Sequence, residues 1–120
     1  MSVVEQYARA HIVTDADPLL GDRGAVPVVL RYDPATDPRS VRVVLPGSGP
    51  REFVVPRELL EQGLRMPVSH GEVQVWPCGR VQTVVEFHTA RGVSVVQFEN
   101  KVLTRFLHRT HATTAEPVPH

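Results

Sequence analysis

Charge of one sign, cysteine and long apolar runs are what this 120-residue sequence has least of, and each shortage removes a class of function. Thirteen basic residues balance thirteen acidic ones. A protein that tracks a phosphate backbone carries a cationic excess, so nucleic acid falls to a second-choice partner. Cys78 is the one cysteine. A single thiol can neither close an internal disulfide nor build a thiolate metal site, which points to a reducing cytoplasm. No apolar run approaches the ~20 residues of a membrane span. Residues 1 to 14 carry Glu5, Arg9 and His11 where a secretory leader would be apolar, so neither export nor membrane insertion is expected.

Catalytic patterns are missing too. The six histidines, at positions 11, 70, 88, 108, 111 and 120, form no HExxH motif and pair with no cysteine. Cys78 lies between Pro77 and Gly79 without a nucleophile elbow, and nothing orders Ser, His and Asp into a triad. Gly47-Ser48-Gly49-Pro50 lacks the following helix and lysine of a phosphate-cradling loop. No catalytic, metal or cofactor-binding residue is assigned, and the chain is not expected to be an enzyme.

What is abundant is valine: twenty-two, against one isoleucine. With twelve arginines against one lysine, this suits a GC-rich coding sequence. Physically it favours pleated, half-buried surfaces and a sheet-dominated α+β fold. A 120-residue chain is one domain's worth. A domain over 1–112 and a disordered, Pro-rich tail over 113–120 are expected.

Residues 2 to 14, which mix Ala, Glu, Gln and Arg with Val3, Val4, Ile12 and Val13, fit either a strand or a helix, a strand being favoured, and the turn formers of 15 to 25 read as a loop. Val26–Tyr32, Val41–Leu45 and Glu52–Val55 form a meander broken at Asp33-Pro34-Ala35-Thr36-Asp37-Pro38 and at Pro46–Pro50. A short helix follows at 56–63. Pro56 suits its first position, Glu58 suits the helix dipole, Leu59, Leu60 and Leu64 share a side, and Gly63 suits a left-handed stop. After a break at Met66 and Pro67 come strands at Glu72–Trp76, Val81–His88 and Val93–Phe98, then a helix from Asn100 to Arg109 with Val102, Leu103, Phe106 and Leu107 as its apolar stripe. The expected architecture is two antiparallel three-strand meanders, each followed by a helix.

Adjacent valines recur at 28/29, 43/44, 54/55, 84/85 and 95/96. Neighbouring strand residues point to opposite faces, so each doublet puts methyl groups on both sides of the sheet. Two short helices cover only part of that surface. Either the sheet closes like a barrel or it is buried against another copy, and a symmetric homo-oligomer is expected.

Six residues are candidates for partner contact. Lys101, Arg105 and Arg109 form a basic ridge at helical spacing, ordinarily a solvated face and alternatively a contact for an anionic partner. Trp76 could stack a base, although a lone strand tryptophan is more often core or interface. Arg31 and Asp33, with Tyr32 and Asp37, close a strand into a turn where Asp caps local N–H groups.

Several stretches resemble the SsgA-like family of actinomycete sporulation and cell-division proteins. They are Leu30-Arg31-Tyr32-Asp33 with Asp37-Pro38 and Val41; Arg57-Glu58-Leu59-Leu60 with Gly63-Leu64 and Pro67; Gly71-Glu72-Val73 with Val75-Trp76-Pro77; and Phe106-Leu107 with Arg109-Thr110. Departures are the three residues between Asp33 and Asp37, where two are usual, Val55 in place of an aromatic, Ser69 for Gly, Glu72 for Asp, and an end at His120 without a further C-terminal segment. The resemblance implies a β-rich trimer similar to the whirly type of single-stranded nucleic-acid binders, acting without catalysis to place or control the division septum. The partners it implies are divisome proteins such as the tubulin-like GTPase FtsZ, or other SsgA-like proteins.

Overall fold

The structure, a computed structural model, describes residues 3–14, 25–46 and 51–114. Eight strands, β1 (Val4–Thr14), β2 (Ala25–Tyr32), β3 (Ser40–Leu45), β4 (Arg51–Pro56), β5 (Val68–His70), β6 (Val73–Cys78), β7 (Gln82–Thr89) and β8 (Gly92–Glu99), are joined by two helices, α1 (Arg57–Gly63) and α2 (Asn100–Thr114). The strands form one antiparallel sheet in the order β4-β3-β2-β1-β8-β7-β6-β5. Two meanders followed by helices are therefore present, fused into a single sheet by β1. The hairpin partner β5 is an addition: Met66 and Pro67 end the turn after α1, and Val68 already pairs with Val75.

β1 owes its joining role to its length and to one irregularity. From Val4 to His11 it pairs with β2, and from His11 to Thr14 with β8, with a register shift between Ile12 and Thr14. Bulges increase local twist, and strands that change partner in this way make the corners of folded-over sheets. The sheet curls far enough that Phe53 of β4 stacks on Phe87 of β7, with ring centroids 4.2 Å apart and planes 17° off parallel. Those two strands are far apart in sheet order, so the contact closes the concave side around one core.

That core holds the inner member of every valine doublet: Val28, Val43, Val55, Val85 and Val96 are all buried. Leu30, Tyr32, Phe98, Leu103 and Phe106 fill the space between sheet and helices. Burying one such side chain is worth about 1.5–3 kcal/mol, so the concave face holds most of the hydrophobic stabilisation. α2 lies along β1 and β8, α1 against β4, β5 and β6, and the two helices touch each other. Asn100 fixes the start of α2: its N–H donates to Val81 O at 2.8 Å, and its Oδ1 accepts from the buried Thr83 hydroxyl at 2.5 Å. His111 Nε2 lies 2.6 Å from Glu61 Oε2, bridging the helices.

Three local expectations are corrected. Pro56 is not the first helical residue; it is the last residue of β4 and sits at the N-cap in extended conformation. Gly63 does not stop the helix through a left-handed conformation, because Leu64, which caps it, is right-handed. Its real constraint is proximity: a Cβ on Gly63 would stand 2.1 Å from Val75 Cγ1 and 2.5 Å from Val75 Cβ. Finally, α2 runs to Thr114 rather than Arg109, with the Thr113 hydroxyl donating to Arg109 O at 3.0 Å. Thr113 and Thr114, expected in a tail, are thus its last two residues, and the rest of that expected tail lies outside the described residues.

Gly-to-Ala in a free helix gains up to ~1 kcal/mol. At Gly63 the overlap with Val75 reverses the sign: Gly63→Ala is expected to destabilise by about 1–3 kcal/mol, and Val75→Ala not to rescue it, because an alanine there keeps the Cβ that stands 2.5 Å away. Urea midpoints check this, and a stabilised Gly63→Ala variant would contradict the close packing of α1 on β6.

Candidate functional site

Burial alternation and strand register define the convex face of the sheet, the side on which neither helix packs. Directly paired residues give rows across it. One row runs Glu5, Arg31, Arg42, Val54; the next runs Tyr7, Val29, Val44, Glu52; a third begins Arg9, Pro27. Tyr7 is 72% exposed, Val13 50% and Val54 47%, while Val29 and Val44 are half-buried. Ion pairs flank the apolar row, Arg31 to Glu5 at 3.9 Å and Arg42 to Glu52 at 3.5 Å. Both are largely exposed, so each contributes at most ~1 kcal/mol and acts chiefly to frame the apolar strip.

The other half of this face covers itself better. Val84 is buried although it lies on the convex side, with Trp76 and Gln97 as its cross-strand neighbours. Gln97 and Gln82 are hydrogen-bonded there, and His88 pairs closely with Glu86. The exposed apolar surface is therefore concentrated on the half formed by β1 to β4, around Tyr7.

The six candidates do not gather in one place. Arg31 lies in the convex face beside Glu5, and Trp76 is half-buried on the opposite half. Lys101 pairs with Glu99 at 3.7 Å. Arg109 reaches the start of β1, donating to Gln6 Oε1 at 3.2 Å and to Glu5 O at 3.5 Å. Arg105, the middle residue of the ridge, is exposed. Asp33 acts within its turn, accepting from the Thr36 hydroxyl at 2.9 Å and the Ala35 N–H at 3.1 Å.

Tyr32, next to Asp33, is buried and ties that turn to α1. Its hydroxyl donates to Pro38 O at 2.9 Å and accepts from Arg57 Nη1 at 3.2 Å, while the Arg57 guanidinium lies 5.3 Å from its ring centroid. The Arg31-Tyr32-Asp33 and Arg57 stretches singled out in the sequence thus meet as a structural lock. Tyr7, in contrast, has no motif around it; an aromatic between Glu5 and Arg9 on an alternating strand was the available signal, and the strand's mixed composition hid it.

An open groove of about 970 Å³ runs between α1 and α2, lined by Leu64, Met66 and Leu107 together with Glu58, Arg65 and His108. Among the described residues, no three His, Cys, Asp or Glu side chains come together to hold a metal ion, and no helix is long and apolar enough to cross a membrane. The candidate site is a surface, and what it offers is apolar area framed by charge.

A sequence model of the family described as Streptomyces sporulation and cell division protein, SsgA, matches residues 26–117. The chain is 33% identical over 95 residues to a sporulation-specific cell division protein of Frankia casuarinae, covering 76% of this chain and 65% of that protein, a little under two thirds of its length. To SsgB of Streptomyces coelicolor it is 32% identical over 100 residues, 79% of this chain and 72% of that protein. To SsgB of Salinispora tropica it is 35% identical over 103 residues, 78% and 71% of the two chains. The fold is similar to a solved structure from work on SsgB mutations and longitudinal cell division in S. coelicolor, with TM-score 0.75, 25% identity, and coverage of 96% of this chain and 91% of that one. It is likewise similar to an SsgA-like sporulation-specific cell division protein of Thermobifida fusca, with TM-score 0.75 over 96% and 84% of the chains at 24% identity, a likeness of fold alone.

The Asp33 carboxyl titrates below its ordinary value of 3.8, first because the Thr36 hydroxyl bonds it, with the Ala35 and Thr36 amides and the Arg31 charge adding to that against partial desolvation. A depressed folded-state pKa means the ionised carboxylate adds stability above the ordinary aspartate range, and this is lost as pH falls through the folded value. Asp33→Asn should therefore be less stable than wild type at about pH 6, with the gap in melting midpoint closing toward about pH 2. A gap that stays constant over that range would contradict the turn's charge-assisted bonding.

Proposed function

Because the chain belongs to the SsgA family of sporulation and cell division proteins, we propose that it is a non-enzymatic regulator of sporulation-specific cell division, an oligomeric adaptor that helps position or control the septum. The observation that carries this reading is the family match over residues 26–117, supported by the similarity of fold to the S. coelicolor structure. The candidate surface fits an adaptor: it offers apolar area and charge pairs for docking. Residues 1–112 act as one unit in this reading.

A symmetric homo-oligomer, a trimer of whirly-like subunits, is part of the proposal. Its physical support is the convex face, where Tyr7 and Val54 stand in water in the single chain. Contiguous apolar strips rimmed by charge are characteristic of association surfaces. The partners proposed beyond a second copy are divisome proteins such as FtsZ or other proteins of the same family, met in the cytoplasm at the septum.

Tagged protein in sporulating actinomycete hyphae should gather as foci or bands at division sites, and a uniform signal throughout sporulation would contradict the regulator reading. Purified protein at micromolar concentration should give more than one copy per particle by chromatography with light scattering. A single-copy mass there would contradict the oligomer.

A further inference from the structure

Along β1, the convex residues centred on Tyr7 read Glu5, Tyr7, Arg9: one acid and one base, two residues to either side of an exposed aromatic. Two sheets stacked face to face can be related only by an axis lying in the plane between them. If that axis runs along the strand, Glu5 of one copy faces Glu5 of its partner and Arg9 faces Arg9. If it crosses the strand at Tyr7, the two β1 strands run antiparallel, Tyr7 meets Tyr7, and Glu5 of each copy faces Arg9 of the other. The second arrangement matches opposite charges on both sides of the aromatic centre, which is the self-complementarity an isologous contact requires.

The neighbouring strand agrees. In the same arrangement Val29 meets Val29, and Arg31, already beside its own Glu5 at 3.9 Å, lies over Pro27 of the second copy, where no like charge opposes it. Each Glu5 then stands between its own Arg31 and the second copy's Arg9. Sheets pack about 10 Å apart, a gap that an extended Glu and an extended Arg span together. The apolar row Tyr7, Val29, Val44 becomes the dry centre; Glu52, the next residue of that row, meets the second copy's Glu52 at the margin, each with its own Arg42 3.5 Å away.

Resting on the homo-oligomer reading above, we propose that two copies of this chain meet through the convex face of β1 to β3, about a two-fold axis crossing β1 at Tyr7, with reciprocal Glu5 to Arg9 pairs. Single chains joined this way give dimers, and trimers joined this way give particles of six.

Sedimentation velocity over a concentration series tests this with charge exchanges. Glu5 and Arg9 are exposed, so E5R, R9E and the E5R/R9E double variant should all keep the wild-type far-UV circular dichroism. Wild type should form particles with an even number of copies. E5R and R9E each place like charges opposite one another and should raise the dissociation constant about tenfold or more. The double variant exchanges the two charges, restores opposite pairing and should return close to wild type. As a second variant, Tyr7→Lys leaves both pairs in place and should weaken the same association. If wild type assembles but E5R and R9E leave it unchanged, or the double variant is as weak as either single one, this surface is wrong while the homo-oligomer stands. A single-copy wild type overturns both.

Discussion

Side chains alternate across a strand, so two adjacent valines cannot both enter one core. Everything in this molecule follows from how that constraint is met. The inner valine of each doublet is buried under α1, α2 and the curl of the sheet. The outer valines share no such cover, and their fates differ: Val84 is sheltered by its own neighbours, Val29, Val44 and Val95 are half-buried, and Val54 is exposed over about half its surface. One fold thus produces a closed concave side and a convex side that neither helix covers.

Much of this was legible beforehand because it is local. Period-two alternation and Pro- and Gly-rich turns place six of the eight strands within a few residues, and the stripe of Leu103, Phe106 and Leu107 marks α2. The joining of the two meanders was not legible. It depends on β1 changing partner at His11 and on a register shift between Ile12 and Thr14, which no propensity records. Gly63 shows a related limit. In sequence it resembles a helix stop, whereas its constraint comes from Val75, a residue of another strand.

The site was only partly legible. Asp33 was read correctly as a turn-forming residue, and Lys101 and Arg109 were found on the exposed side of α2, where Glu99 and the start of β1 engage them. The candidates do not converge because charge along one element says little about which elements meet. Tyr7 was missed for the opposite reason: its significance lies in what does not cover it, and exposure depends on tertiary structure. Tyr32 shows the contrast, since the same residue type two strands' worth of sequence later is buried and bonded to Pro38 and Arg57.

That contrast supplies the most direct test, because the chain contains two tyrosines, one 72% and the other 1% exposed. Nitration by tetranitromethane, read by peptide mass spectrometry across a dilution series, reports the convex face while Tyr32 serves as the buried standard. The account predicts that Tyr7 is protected in concentrated protein and becomes reactive on dilution, with Tyr32 unreactive throughout. Tyr7 modified equally at every concentration would contradict it.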